Sequence, residues 1–177
     1  MEQVIVAFEH EKNAGRIREL LEHSGTASSI LCRSADQVRR TIRQMGITTV
    51  ICGYKFADGT AERLFEDLPP TCAMLIVASQ GLLDLVQNDD ILRLPAPASR
   101  RDLLSAVEML LRVGRRLERA ARPHRSQADR ELVEQAKALL MDRFGVSEEQ
   151  AHRFLQKKSM DKGVKLVQAA QLVLDGR

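Results

Sequence analysis

The chain has 177 residues, 44% of them apolar and 29% charged, with five Phe, one Tyr and no Trp. This balance suits a soluble globular protein with one full domain and one small one, and it excludes disordered, fibrous and membrane-spanning classes. The net charge of +3 lies wholly in residues 122–177, where 11 Lys/Arg meet 8 Asp/Glu, while residues 1–121 balance at 16 of each.

Strand and helix signals alternate over the first 110 or so residues. Val4–Phe8 is a short unbroken apolar run, the mark of a strand buried on both faces. Helical spacing follows in Ile17, Leu20 and Leu21 and ends at Gly25. A second strand, Ser29–Cys32, leads to a helix through Val38, Ile42 and Met45, stopped by Gly46. Thr49–Cys52 is the third strand; a loop through Asp58-Gly59 precedes a helix with Ala61, Leu64 and Phe65, closed by Pro69-Pro70. The fourth strand is Met74–Ala78, the next helix carries Leu82, Leu83, Leu85 and Val86, and Ile91–Leu94 is a short fifth strand. This order predicts a parallel sheet with right-handed crossovers, a doubly wound α/β domain over residues 1–98.

A long helix starts near Ser99. Leu103, Val107, Leu110 and Leu117 follow heptad steps with a gap at Gly114, which predicts a coiled-coil dimer stalk over 99–128; the alternative is a stripe that packs on its own sheet. Pro123 predicts an interruption or linker around Arg122–Gln127. Three further helix patterns form an all-α domain over 129–177. The first spans about Asp129 to Phe144 and is stopped by Gly145. Ser147-Glu148-Glu149-Gln150 is a capping box for the second, which carries Ala151, Phe154 and Leu155. The third, after Asp161, carries Val164, Val167, Ala170 and Leu174. Phe144 and Phe154 are placed in the core. Cys32, Cys52 and Cys72 form no CxxC pair and are read as buried thiols in a reducing cytosol. With no signal-peptide pattern and no apolar run near 18 residues, the expected location is cytoplasmic, with no membrane partner.

Residues 1–110 resemble, in layout, the flavodoxin-like receiver domain of two-component response regulators. That resemblance implies an acidic pair after the first strand, a phosphoacceptor Asp after the third, a hydroxyl after the fourth and a Lys after the fifth. Here those places hold Phe8-Glu9, Gly53, Ala78 (with Ser79 one place late) and Leu94-Pro95. Glycine has no carboxylate to phosphorylate, and Asp58 stands five residues further along a turn. A pseudo-receiver is the expectation, with no metal site in the Glu9-His10-Glu11 loop.

The last 45 or so residues resemble the ANTAR domain on more specific landmarks. Glu134-Gln135-Ala136-Lys137-Ala138-Leu139-Leu140-Met141 matches its opening helix, and Gly145-Val146-Ser147-Glu148-Glu149-Gln150-Ala151 its turn into the second. Ser159-Met160 and the apolar stripe after Lys165 follow in order. The resemblance implies a dimeric RNA-binding antiterminator that holds paired hairpin loops of a leader transcript, with a sensor protein or small ligand as input. Five cations against one acid in residues 150–165 suit phosphate or loop contacts. The candidate RNA-binding residues are Lys137, Arg153, Lys157, Lys158, Lys162 and Lys165; a second basic stretch runs from Arg112 to Arg125. The rival readings are a DNA-binding response regulator with a helix-turn-helix output and a protein-interaction adaptor. No phosphate loop, nucleophile–base arrangement or metal-ligand spacing is present, so neither catalysis nor a cofactor is expected.

Overall fold

The computed structural model describes residues 1–177, except for the side chains of residues 123–126. Two compact units divide at Arg119 and Ala120.

The first unit follows the order β1 (Gln3–Ala7), α1 (Glu11–Ser24), β2 (Ser28–Cys32), α2 (Ala35–Met45) and β3 (Thr49–Cys52), then the two-residue strands β4 (Lys55–Phe56) and β5 (Gly59–Thr60). It continues with α3 (Ala61–Glu66), β6 (Ala73–Ala78), α4 (Gln80–Leu83), β7 (Leu92–Pro95) and the start of α5 (Arg100–Phe144). Five strands make one parallel sheet in the order β2-β1-β3-β6-β7, with Ile5 opposite Ile30 and Val50, and Leu75 opposite Ile51 and Leu92. This is the doubly wound flavodoxin-like order, in which the order of strand addition reverses between β1 and β3.

Alternation along the strands loads both faces of the sheet. On one face Ile5, Val50, Met74 and Ile76 pack with Val38 and Ile42 of α2, Leu64 of α3 and Leu83 of α4. On the other, Val4, Val6, Ile51 and Leu75 pack with Ile17 and Leu21 of α1 and with Val107, Leu110 and Leu111 of α5. Local chemistry sets the ends of the helices. Ser34 accepts a hydrogen bond from the Gln37 amide at 3.2 Å, and Gly25 and Gly46 close α1 and α2 in the left-handed conformation. Helix α4 is shorter than its apolar pattern predicts, because Leu85 lies beyond it and is 58% exposed.

The dimer-stalk reading of Leu103, Val107, Leu110 and Leu117 is corrected here. Val107 and Leu110 are fully buried in the sheet's own core, and Leu103 and Leu117 pack against that cluster. Gly114 is a point of close approach: a Cβ there would lie 3.1 Å from Thr49 Oγ1. On either side, the Thr48 hydroxyl donates to Glu118 at 2.7 Å and Arg115 pairs with Glu2 at 2.8 Å. The interruption or linker expected around Arg122–Gln127 is corrected as well: α5 runs as one helix from Arg100 to Phe144.

The second unit holds the C-terminal part of α5, then α6 (Glu148–Lys162) and α7 (Leu166–Leu174). Its core is Ala136, Leu140, Ala151, Leu155, Ala170 and Val173. Alanine on all three helices lets the backbones approach closely. The capping box forms as the pattern predicts: the Gln150 amide donates to Ser147 Oγ at 3.2 Å, and the Ser147 amide donates to Gln150 Oε1 at 2.9 Å. Helix α6 runs on to Lys162, so Val164 sits in the turn before α7, where its carbonyl accepts from the Ser159 hydroxyl at 2.6 Å.

Candidate functional site

Ligands of open α/β sheets bind beyond the carboxyl ends of the strands, where the strand order reverses. In this chain that place is the end of β1 and β3, occupied by Phe8 and Gly53. The Gly53 amide donates to the Ala7 carbonyl at 3.2 Å, which holds the two strand ends together. Phe8 is 6% exposed, and a Cβ on residue 53 would sit 3.2 Å from its Cδ1. The aromatic ring therefore borders the position where a carboxylate would have to stand.

Glu9 is exposed, and Glu11 pairs with Arg33. Ala78 is buried, Ser79 makes no side-chain cap to α4, and Leu94 and Pro95 pair along β7 with Val77 and Ala78. Asp58 is engaged elsewhere, since its carboxylate accepts from the amides of Ala35 at 2.9 Å and Asp36 at 3.0 Å, capping α2. The bond from Asp36, then that from Ala35, holds its carboxyl below the ordinary carboxylate range. Among the described residues, no cluster of three or more His, Cys, Asp or Glu side chains could hold a metal ion.

The cations of the second unit separate into two groups. Lys137 is 12% exposed and bridges Glu134 at 2.9 Å and Glu148 at 3.5 Å. Its hydrogen bond to Glu134 raises the ammonium above its ordinary pKa, against a partial desolvation that lowers it. Arg153 pairs with Glu149 at 2.6 Å, and Lys158 donates to the Arg177 carbonyl and lies 6.0 Å from the centre of the Phe154 ring. Lys157, Lys162 and Lys165 are exposed and, among the described residues, have no ion-pair partner within 4.0 Å. The expected core placement of Phe144 and Phe154 is corrected: they are 67% and 49% exposed, and Met141 and Met160 are exposed as well. Apolar residues at helical spacing predict a core, but here Leu140, Leu155 and Val173 fill it with the alanines, and both Phe side chains stay outside.

Residues 121–174 match the ANTAR domain family, a span that coincides with the second compact unit. The first unit is similar to solved receiver domains. One is a response regulator receiver domain protein from Clostridium thermocellum, at 20% identity and TM-score 0.59, with 66% of this chain and 99% of that one covered. Another is a CheY-like receiver domain protein from Methanospirillum hungatei JF-1, at 17% identity and TM-score 0.57, covering 66% and 98%. A third is the signal receiver domain of an HD domain-containing protein from Pseudomonas fluorescens Pf-5, at 16% and 0.57, covering 64% and 97%. No curated protein matches the chain. The first unit thus has the receiver fold. Residues 121–174 follow it as an ANTAR domain, so the chain has the receiver-plus-ANTAR architecture. No helix among the described residues is long and apolar enough to cross a membrane.

Proposed function

We propose that this protein is an RNA-binding transcription antitermination regulator that recognises paired hairpin loops in a leader transcript. The observation that carries this reading is the ANTAR match over 121–174, falling on a unit whose three helices pack about their own core. Such a protein needs no bond chemistry. Binding one RNA fold in preference to a competing terminator stem shifts the population between them by the difference in affinity.

Lys157, Lys162 and Lys165, all exposed, supply the first phosphate contacts. Arg153 and Lys158 join by exchanging internal partners for phosphate, and Lys137 contributes from the edge of the core. The receiver-fold domain passes its signal without phosphorylation, which the Phe8–Gly53 arrangement supports. The input is a sensor protein or small ligand, and the working form is a homodimer.

The test is binding of the full-length protein to an RNA with two short hairpins, beside the same RNA with scrambled loops. Three phosphate contacts imply a log–log salt slope of about −2 to −3, and all six about −4 to −5. Selective, salt-dependent binding that Lys157→Ala/Lys162→Ala/Lys165→Ala weakens is the expected result. Equal binding to both RNAs would overturn loop recognition.

A further inference from the structure

In the first unit, a cavity of about 400 Å³ lies between α3, the start of β6, α5 and the loop before β7. That volume is within the range of about 300–1,000 Å³ that holds small molecules. Leu68, Val113 and Leu117 give it aliphatic walls, Phe65 an aromatic ring and Cys72 a thiol. Hydrogen bonds fix the segments around it. Glu62 accepts from the amides of Gln87 at 2.8 Å and Asn88 at 2.7 Å, and the Asn88 side chain accepts from the Asp90 amide at 2.9 Å. The Cys72 amide donates to the Pro69 carbonyl at 2.9 Å across the turn after α3. The cavity is therefore formed before any ligand arrives, and little ordering cost is set against binding.

The charge around this cavity is one-sided. Glu66 and Asp90 line it, and no Lys, Arg or His among the described residues does. Neither acid has an ion-pair partner among the described residues. The neighbouring cations are engaged by other acids, Arg39 by Asp67 at 2.8 Å and Arg93 by Asp89 at 3.6 Å. Cys72 stays a neutral thiol, because burial and then the charge of Glu118 push it up to about 11. A third carboxylate thus acts on the same wall.

We propose that this cavity is a binding site for a small organic cation, an ammonium group carried on an apolar body. The aliphatic walls take the body, Glu66 and Asp90 supply the counter-charge, and the Phe65 ring adds a surface that attracts cations. A phosphate or carboxylate ligand would meet only like charge here. A neutral apolar ligand would use the walls and leave both acids without a partner. The site belongs to the receiver-fold unit, and its ligand class does not depend on the RNA-binding reading.

The experiment uses full-length protein with labelled Leu and Val methyl groups, titrated at pH 7 with benzylammonium, benzyl alcohol and benzoate, three probes of one shape and different charge. Benzylammonium is expected to shift the Leu68, Val113 and Leu117 methyl resonances saturably and to bind about tenfold more tightly than benzyl alcohol, the ratio that ion pairing at a partly exposed site and a cation–π contact give together. Benzoate should leave these resonances in place. Glu66→Gln/Asp90→Asn changes two exposed positions that folding tolerates. It should bring benzylammonium down to the affinity of benzyl alcohol and leave the alcohol's own affinity unchanged. Equal affinity of the wild type for benzylammonium and benzyl alcohol, an undiminished preference in the double variant, or no shift of these methyl groups by benzylammonium overturns the proposal. None of these outcomes bears on RNA binding, which is tested separately with hairpins.

Discussion

Replacement of Gly114 separates the two geometries available to the long helix. In a coiled-coil stalk, Gly114 would be a gap in an apolar seam. Gly114→Ala would then gain about 1 kcal/mol of helix propensity, and Gly114→Leu would add seam contact besides. The structure predicts the opposite. A Cβ at 114 meets Thr49 Oγ1 at 3.1 Å and Ala73 Cβ at 3.9 Å, and Thr49 is buried under the helix. The helix has little freedom to rise, because the Thr48–Glu118 hydrogen bond and the Arg115–Glu2 pair hold it on both sides. Overpacking of this kind costs about 1–3 kcal/mol. Set against the propensity gain, Gly114→Ala should be destabilised by about 0–2 kcal/mol, and Gly114→Leu, with three more carbons, by about 3 kcal/mol or more. Urea unfolding of full-length protein at two concentrations tenfold apart measures this. A Gly114→Leu variant more stable than wild type, with a midpoint that rises with concentration, would refute the packing on the sheet and restore the stalk.

Restoring a carboxylate alone should not restore phosphorylation: Gly53→Asp presses on Phe8, and acetyl phosphate with Mg²⁺ should leave its mass unchanged, whereas a stable adduct of about +80 Da on either wild type or variant would contradict the role given to the strand ends. Burial, with Glu118 adding to it, pushes the Cys72 thiol up to about 11, so alkylation at pH 8 should run about a hundredfold slower in folded than in urea-unfolded protein; equal rates would show that the thiol is not desolvated. Asp58→Ala removes two hydrogen bonds from the start of α2 and should cost about 1 kcal/mol at pH 7. Because the Asp58 carboxyl is held low in the folded chain, its contribution is present above the unfolded value of about 4 and fades as pH falls through the lowered one. The difference between wild type and Asp58→Ala should therefore shrink in acid, and a difference that grows would reverse the sign.

The α/β domain was legible because parallel strands are buried on both faces, so Val4–Phe8, Thr49–Cys52 and Met74–Ala78 read as unbroken apolar runs between helices. The stripe on α5 was legible as a stripe but not as to what it faces. Val107 and Leu110 keep the same spacing whether they meet a partner helix or a sheet, and only the distance from Gly114 to Thr49, sixty-five positions earlier, decides between them. A glycine inside an apolar helical stripe was the one available signal, since it marks a place where a backbone comes too near for a side chain. The sequence also named every substituted strand end. It did not show that Phe8 lies against residue 53, because that contact depends on β1 and β3 being neighbours in the sheet.

In the ANTAR domain the cations could be counted from the sequence but not sorted. Lys137 and Arg153 are ion-paired and Lys158 donates to a backbone carbonyl, while Lys157, Lys162 and Lys165 have no ion-pair partner among the described residues, and a charge total treats all six alike. The large apolar residues were misplaced for a related reason. Ala136, Ala151 and Ala170 meet in the core with Leu140, Leu155 and Val173, while Phe144 and Phe154 lie outside it. The Phe154 ring is left at the surface, 6.0 Å from the Lys158 ammonium.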